Sequence, residues 1–293
     1  MRRAMKTAVQ LMETFADGGV EVCFANPGTS EMHLVAALDQ VPRIRPVLGL
    51  FEGVVTGAAD GYGRITGKPA LTLLHLGPGL SNGAANLHNA FRARTPIINL
   101  IGDHATYHRK NDAPLQSDIE ALARPVSRWL ATAETPVQAI ELAAWALTSA
   151  LRQGPGGLVI PADVAWSDDE APTPVPDPPS PSLSTWERRI DEVAARLRSP
   201  GCAVVIGGRF LGSEACAAAA RIGSATGALV MTETFPAGGA RSRARRPAAN
   251  SLYDRNERGH AGSRQDCGSC RGPGPGRLLC PAWTTDPSDL RRG

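Results

Sequence analysis

The pattern of hydrophobic and polar positions over residues 5–165 alternates between two periods. Apolar side chains at helical spacing predict amphipathic helices at 7–16, 31–38, 81–92 and 136–151. Short continuous apolar runs predict buried strands at 20–25, 47–50, 71–75, 96–101 and 157–160. Because buried strands joined by helical crossovers form parallel sheets, the pattern predicts an α/β fold, a parallel sheet with helices on both faces.

One further predicted helix, 52–65, is rich in glycine: it contains Gly53, Gly57, Gly61 and Gly63. Each glycine weakens a helix by up to about 1 kcal/mol relative to alanine. We therefore expect another element to pack closely against the backbone of this helix. Residues 77–79 (Gly-Pro-Gly) predict a turn before the helix at 81–92.

Changes in composition divide the chain into a first domain, 5–168, and three further segments. Six prolines at 171–183 predict a Pro-rich linker at 169–184. The order helix, strand, helix, strand over 185–237 predicts a truncated Rossmann-like α/β unit, a partial central domain. Residues 238–293 contain no Val, Ile, Phe, Met or Lys, which predicts a disordered, low-complexity tail. Such an abrupt change resembles coding sequence read in a shifted frame, a hypothesis that the parent DNA would test.

Charge and hydropathy argue against two classes of protein, those that bind nucleic acid and those that span a membrane. The formal net charge of +3 is too small to indicate a nucleic-acid-binding surface. No run of about 18 uncharged apolar residues occurs, so the sequence predicts no membrane-spanning segment. No targeting signal is evident, and we therefore predict a cytoplasmic protein.

The cysteines give no strong functional signal. Cys267 and Cys270 form a Cys-x-x-Cys pair, but a zinc site needs four ligands and only Cys280 and His260 lie nearby in the sequence. We therefore predict no metal site, and we expect the cysteines of the first two domains to be reduced core residues: Cys23, Cys202 and Cys216.

An ordered set of motifs carries the candidate chemistry. The set comprises residues 24–31 (Phe-Ala-Asn-Pro-Gly-Thr-Ser-Glu), Glu52, residues 59–64 (Ala-Asp-Gly-Tyr-Gly-Arg), His75 and residues 77–79. In order and spacing it resembles the pyrimidine-binding domain of the thiamine-diphosphate enzymes, a family that includes acetolactate synthases and benzoylformate decarboxylase. The resemblance extends over about residues 5–165. It implies thiamine diphosphate as cofactor and a 2-keto acid such as pyruvate as substrate.

Glu52 follows a predicted strand and begins a predicted helix, a junction where parallel sheets place functional groups. In the family, the matching glutamate hydrogen-bonds the aminopyrimidine ring of the cofactor and activates it. The resemblance therefore implies a catalytic and cofactor-binding role for Glu52. The alternative is a glutamate that only favours the positive end of a helix dipole.

Residues 26–29 predict a tight loop after the first strand. The resemblance implies that Asn26, Pro27 and Gly28 contact the cofactor. It also implies that Thr29 contacts substrate, since benzoylformate decarboxylase has a serine at this place and a hydroxyl can bind a carboxylate. The alternative is an ordinary β-turn.

His75 ends a predicted strand, and the resemblance to benzoylformate decarboxylase implies a catalytic residue that shuttles protons. The alternative is a hydrogen-bonded core histidine. Acetolactate synthases differ at this position, whereas residues 77–79 followed by Ser81 and Asn82 look like theirs. The sequence leaves the choice between decarboxylation and carboligation open.

Three more polar residues enter the predicted site by resemblance. Asn82 and Asn86 either contact the cofactor or cap and pack their helix. Gln116 follows Asp112 and Ala113 in a stretch that resembles the Asp-Ala-x-Gln sequence of acetolactate synthases, offset by one position. The resemblance implies that Gln116 lies near the substrate.

The family binds Mg²⁺ and the diphosphate through a further domain that carries Gly-Asp-Gly, a sequence that does not occur here. Mg²⁺ is therefore expected only through a domain absent from this chain. Family active sites lie between subunits, which implies a homodimer or homotetramer. Two hypotheses follow: an acetolactate synthase-like enzyme that is incomplete as written, or a non-catalytic module that binds thiamine diphosphate or dimerises.

Overall fold

The computed structural model describes residues 5–169, 184–207 and 213–232. In the first range, six strands form one wholly parallel sheet: β2 (Val22–Asn26), β3 (Arg45–Leu48), β4 (Ala70–Leu74), β5 (Ile97–Asp103), β6 (Leu130–Thr132) and β7 (Gly156–Pro161). Their spatial order is β3-β2-β4-β5-β7-β6. A short antiparallel pair, β1 (Met5–Lys6) with β8 (Asp168–Asp169), joins the two ends of this range.

Helices cover both faces of the sheet, as the sequence predicts. One layer contains α1 (Thr7–Asp17), α2 (Met32–Gln40), α6 (Pro136–Gln153) and α7 (Ala162–Trp166), which pack on one another. The other contains α3 (Glu52–Thr66), α4 (Leu76–Ala93) and α5 (Ile119–Ala123). β4 and β5 are buried along their whole length, and their apolar side chains contribute to the hydrophobic cores on both faces of the sheet. The predicted α/β fold with helices on both faces is confirmed.

The centre of the sheet contains a polar contact within the apolar core. Thr72 on β4 and Asn99 on β5 are register partners, and both are fully buried. Thr72 Oγ1 donates to Asn99 Oδ1 at 2.7 Å, and Asn99 Nδ2 donates to the Gly156 carbonyl on β7 at 2.8 Å. These hydrogen bonds satisfy groups that would otherwise be costly to bury.

α3 and α4 lie unusually close, as the glycine content of α3 predicts. Thr56 Oγ1 on α3 donates to the carbonyl of Gly83 on α4 at 3.0 Å. A Cβ atom on Gly83 would stand 2.7 Å from Thr56 Cγ2, and Asn86 Nδ2 lies 3.1 Å from where a Cβ on Gly57 would stand. Small residues on both helices therefore allow the backbones to approach.

The sequence-based boundaries are wrong at the start of α4. This helix begins at Leu76, so residues 77–79 form its first turn and are not a separate turn. Leu76 has φ +50°, a left-handed conformation that costs a non-glycine residue about 1–2 kcal/mol. The chain thus changes direction at Leu76, directly after His75. The glycines of residues 77–79 lie in the first turn of the helix.

The ranges 184–207 and 213–232 contain a smaller α/β unit. It comprises α8 (Ser184–Leu197), β9 (Ala203–Ile206), α9 (Ser213–Thr226) and β10 (Leu229–Thr232), and the two strands pair in parallel. Its small core is formed by Ile206 and Ala219. This order of elements is the predicted one. Most of the predicted linker and all of the predicted tail lie outside the described residues, so the domain boundaries stay predictions.

The described cysteines, Cys23, Cys202 and Cys216, form no disulfide. Cys23 is fully buried in β2, and burial raises the pKa of its thiol to about 12. Within the described residues, no helix has the length and hydropathy to cross a bilayer, and no three His, Cys, Asp or Glu side chains form a group suited to a metal ion.

Candidate active site at the switch point of the sheet

The chain order of the strands reverses beside β2. From β2 the chain passes through α2 to β3 on one side, then crosses back through α3 to β4 on the other side. Loops after β2 and β4 therefore diverge from the carboxyl edge of the sheet and leave a crevice, the usual place for ligands in open parallel sheets. The predicted site residues of 26–31 and 75–82 lie on these loops and on the first turns that follow.

Glu52 is the first residue of α3, four positions after β3 ends, and it is only 7% exposed. Its Oε2 atom accepts a hydrogen bond from Asn82 Nδ2 at 3.0 Å. A Cβ atom on Gly79 would stand 3.2 Å from Oε1, so the absence of a side chain at residue 79 keeps the space beside this oxygen free. Oε1 has no hydrogen-bond partner in the part of the chain that the structure describes.

The apolar neighbours of Glu52 in the sequence do not enclose it. Val55 is buried, but Leu50, Phe51 and Val54 are exposed. The carboxylate is instead enclosed by the start of α4, where Gly79 and Asn82 lie. Glu52 and Asn82, two of the predicted site residues, are thus in direct contact.

A second carboxylate lies at the same edge of the sheet. Glu31 is 0% exposed, and its Oε2 accepts from the Gly28 backbone N–H at 2.8 Å. The same Oε2 lies 2.8 Å from His75 Nδ1. A Cβ atom on Gly28 would overlap the His75 imidazole ring. The structure therefore joins Gly28 and His75, both predicted site residues, through Glu31, which the sequence-based prediction did not include.

A signal for Glu31 exists in the sequence. Like Glu52, it is an acidic residue between a buried strand and an amphipathic helix, the position at which parallel sheets present functional groups. Its neighbours 26–29 predict a tight loop, whose backbone and hydroxyl groups supply the predicted contacts there. The contact with His75 joins residues 44 positions apart, which no local pattern reveals.

The other loop residues have fewer contacts. Asn26 ends β2 opposite Leu74, and it and Pro27 are half-buried. Thr29 is exposed and begins a short 3-10 turn, Thr29–Glu31, so its hydroxyl is accessible to a ligand. The roles predicted for Asn26, Pro27 and Thr29 stay predictions.

Asn86 is engaged within the protein. Its Nδ2 atom donates to the Gly53 carbonyl in the first turn of α3 at 2.6 Å. This is the packing role that the sequence left open for Asn86. The hydrogen bond ties α4 to α3 one helical turn beyond the contact between Asn82 and Glu52.

Gln116 lies in the loop that follows β5. Ser117, the next residue, lies against Gly77 at the start of α4, which brings this loop to the helix that carries Asn82. Gln116 Oε1 is buried and has no hydrogen-bond partner among the described residues. The structure forms no hydrogen bond from Gln116 to Glu52 or His75, so its predicted contact with substrate stays a prediction.

An ion-pair cluster fastens the start of this loop. Arg109 Nε donates to Asp103 Oδ2, the last residue of β5, at 2.7 Å, and Arg109 Nη1 donates to Glu134 at 3.1 Å. Partial burial by itself would lower the pKa of Arg109, but the two carboxylates raise it overall. The loop therefore has a fixed anchor at the edge of the sheet.

Comparisons with known proteins agree with this arrangement. Residues 5–123 match the family profile described as thiamine pyrophosphate enzyme, N-terminal TPP binding domain. The chain is 53% identical over 236 residues to a putative acetolactate synthase large subunit, IlvX, of Mycobacterium tuberculosis, a match that covers 79% of this chain and 45% of that protein. It is 33% identical over 112 residues to benzoylformate decarboxylase of Pseudomonas aeruginosa, covering 38% of this chain and 21% of that protein.

A solved structure has a similar fold. The thiamine diphosphate-dependent 4-hydroxybenzoylformate decarboxylase of Rhodococcus jostii superposes with a TM-score of 0.71 at 23% identity, over 84% of this chain and 47% of that one. The chain thus spans less than half the length of each of these relatives. The cytoplasmic location stays a prediction. The matched segment contains Glu31, Glu52, His75 and Asn82, and residues 5–123 are similar to the N-terminal TPP-binding domain of the thiamine pyrophosphate enzymes.

Proposed function

We propose that this chain supplies the cofactor-activating part of an acetolactate synthase-like, thiamine-diphosphate-dependent enzyme acting on a 2-keto acid such as pyruvate. The observation that carries the proposal is the Glu52 carboxylate, with one oxygen held by Asn82 and the other without a partner beside Gly79. A nearly buried carboxylate with a free oxygen suits a ligand that carries a hydrogen-bond donor.

The residues present suit the aminopyrimidine part of thiamine diphosphate. Glu52 Oε1 would exchange a hydrogen bond and a proton with a ring nitrogen, while Asn82 fixes the plane of the carboxylate. Gly79 leaves space for a ring to approach. When bound, thiamine diphosphate supplies an electron sink for the bond broken beside the keto carbon of the substrate. Mg²⁺ would bind together with the diphosphate, because a hard cation prefers negatively charged oxygen ligands.

The exposed hydroxyl of Thr29 and the ring of His75 lie on the two loops that border the crevice. A hydroxyl donor suits a substrate carboxylate, and an imidazole can exchange a proton with a substrate oxygen. Decarboxylation and carboligation share these first requirements. Of the two relatives compared by sequence, the acetolactate synthase homologue is the more similar, at 53% identity against 33%, which favours carboligation; His75 favours decarboxylation.

The site of an oligomeric enzyme also needs a surface for a partner. α3 exposes an apolar face comprising Leu50 and Phe51 before the helix and Val54 and Ile65 on one stripe of it, with Leu50 90% and Ile65 82% exposed. None of the four is charged, so two copies of this face would meet without like-charge repulsion. We propose that a second copy of the chain covers it, which gives a homodimer, or a homotetramer through a further contact.

Cofactor binding by the purified chain tests the first proposal. Calorimetric titration with thiamine diphosphate in the presence of Mg²⁺ should give saturable binding. Turnover of pyruvate or benzoylformate should fall at least about 100-fold in Glu52→Gln, since general acid–base groups contribute about that much or more. The control, Glu141→Gln, changes an exposed glutamate on α6 and should behave like the wild-type protein.

Binding without turnover, or dimerisation without binding, would favour the non-catalytic module instead. Equal turnover in wild-type protein and Glu52→Gln would contradict the assignment of Glu52. Sedimentation equilibrium tests the apolar face: Val54→Asp should weaken self-association at least about tenfold, because an unpaired buried charge is costly at an interface. Val137→Asp alters a comparably exposed valine on α6 and should leave self-association unchanged.

A further inference from the structure

We propose that Glu31 is a positioning residue that holds His75 in the tautomer with the proton on Nδ1, so that Nε2 faces the crevice as a proton acceptor. Only the use made of Nε2 rests on the function proposed above. The tautomer itself follows from contacts within this chain.

The direction of the hydrogen bond follows from the oxygen that the two donors share. Glu31 Oε2 accepts from the Gly28 backbone N–H at 2.8 Å and lies 2.8 Å from His75 Nδ1. When Glu31 is ionised, Oε2 can only accept, so Nδ1 donates to it. A neutral imidazole has one N–H, and the proton on Nδ1 therefore leaves Nε2 bare.

Glycines on both sides let the backbone lie directly against the carboxylate and the imidazole. A Cβ atom on Gly102 of β5 would overlap Glu31 Oε1, and a Cβ on Gly28 would overlap the His75 ring. Glu31 is thus enclosed between the backbone of β5 and the imidazole. Its Oε1 is buried with no hydrogen-bond partner among the described residues, so Oε2 carries all of its polar contacts.

The backbone also limits the movement of His75. It is the residue between β4 and α4, and its carbonyl accepts from the Gly79 N–H at 2.7 Å. The next residue, Leu76, has φ +50° and is buried. The side chain of His75 is about one-fifth exposed, and Nε2 has no partner in the described part of the chain. Nε2 is therefore the atom that a bound ligand can reach.

Nitrogen-15 NMR of the histidine side chains tests the tautomer in the full chain without cofactor. Spectra recorded at about pH 8.5, above the ordinary range of imidazole titration, report which nitrogen carries the proton. We expect His75 to show a protonated Nδ1 and a bare Nε2. His75→Gln identifies the signal by its loss. A bare Nδ1 with a protonated Nε2 in the wild-type protein would overturn the proposal.

Substitutions at residue 31 test the cause. Glu31→Met removes the acceptor with a side chain of similar length and should abolish the single-tautomer pattern. Glu31→Gln keeps an acceptor oxygen and should retain it. His104 is the internal control, because its Nε2 lies 3.1 Å from the Pro114 carbonyl and must donate there. An unchanged His75 pattern in Glu31→Met would show that Glu31 does not set the tautomer.

The outcome is separable from that of the proposed function, because the spectra need neither thiamine diphosphate nor substrate. If the tautomer is as expected but the calorimetric titration shows no binding, the positioning role stands and the proposed function fails. If thiamine diphosphate binds but Nε2 carries the proton, the proposed function stands and the positioning role fails.

Discussion

Glu31 and Glu52 occupy corresponding places in the fold, since each follows a strand of the parallel sheet at its carboxyl edge. Glu31 has a backbone donor and an imidazole on one oxygen and the backbone of Gly102 against the other. Glu52 has a single side-chain donor, Asn82, on one oxygen; the other lies beside Gly79 and has no hydrogen-bond partner among the described residues. The same residue type is therefore built into the scaffold at one place and left available to a ligand at the other.

The largest loss of stability is expected for a substitution that disrupts the packing around Glu31. Gly102→Ala places a methyl group on the position of Glu31 Oε1, which must move and give up its hydrogen bonds. Overpacking together with a disrupted buried carboxylate should lower the free energy of unfolding by about 3 kcal/mol or more. Denaturant unfolding followed by circular dichroism measures this change.

Gly61→Ala is the matched control for that substitution. No atom lies within 4 Å of where its Cβ would stand, and residue 61 is in the middle of α3. Because glycine disfavours a helix interior, the free energy of unfolding should rise by about 0.5–1 kcal/mol. A loss in Gly102→Ala no larger than the change in Gly61→Ala would mean that Glu31 is not enclosed as described.

The next largest loss of stability distinguishes the roles of the two asparagines on α4. Asn86→Ala removes the closer side-chain donor of the Gly53 carbonyl, which keeps the longer hydrogen bond from Thr56 Oγ1 at 3.4 Å, and should cost about 1.5 kcal/mol of unfolding free energy. Asn82→Ala affects a more exposed residue and should cost less, but it should weaken the binding of thiamine diphosphate. The reverse order of stability would contradict the division between packing and ligand binding.

Filling the space beside Glu52 should weaken binding more than folding. Gly79→Ala adds a methyl group 3.2 Å from Glu52 Oε1, tight but not overlapping. We expect the dissociation constant for thiamine diphosphate to rise about tenfold, which corresponds to about 1.4 kcal/mol. Calorimetric titration measures it, with Ser81→Ala, an exposed position on the same helix, as control. Unchanged affinity in Gly79→Ala would remove the case for a ligand beside Oε1.

The smallest effect is expected for the stability of Glu52→Gln. The amide oxygen of glutamine can still accept from Asn82, so thermal unfolding should indicate a change within about 0.5 kcal/mol. A loss as large as that of Gly102→Ala would make Glu52 a structural carboxylate like Glu31. The comparison on which the site rests would then fail.

Local sequence patterns predict most of the main sheet. The strands β2, β4, β5 and β7 lie within a few residues of their predicted positions, because long apolar runs leave few alternatives. The short elements β6, α5 and α7 were not predicted, since three to five residues carry too little periodicity. The predicted start of α4 was wrong because residues 77–79 do not indicate the left-handed conformation of Leu76, which tertiary packing holds.

The site divides in the same way. The motifs and the family resemblance select Glu52, His75, Asn82 and Gly28. The structure places Asn82 against Glu52 and joins Gly28 to His75 through Glu31, while the roles of all four stay predictions. Glu31 is not selected in this way, because its importance arises from a contact between the ends of two different strands. Asn86 could not be assigned either, since ligand binding and helix packing use the same amide group.

The buried contact between Thr72 and Asn99 bears on how the chain reaches this arrangement. In a sheet covered on both faces, a wholly apolar strand can shift by two residues along its neighbour at little cost in free energy, because every position remains apolar. Asn99 ends that equivalence: after such a slip its amide would be buried opposite Ala70 or Leu74 instead of Thr72. A single polar pair thus favours one register of β4 against β5, and with it the level at which the loops after these two strands, which bear His75 and Gln116, leave the sheet.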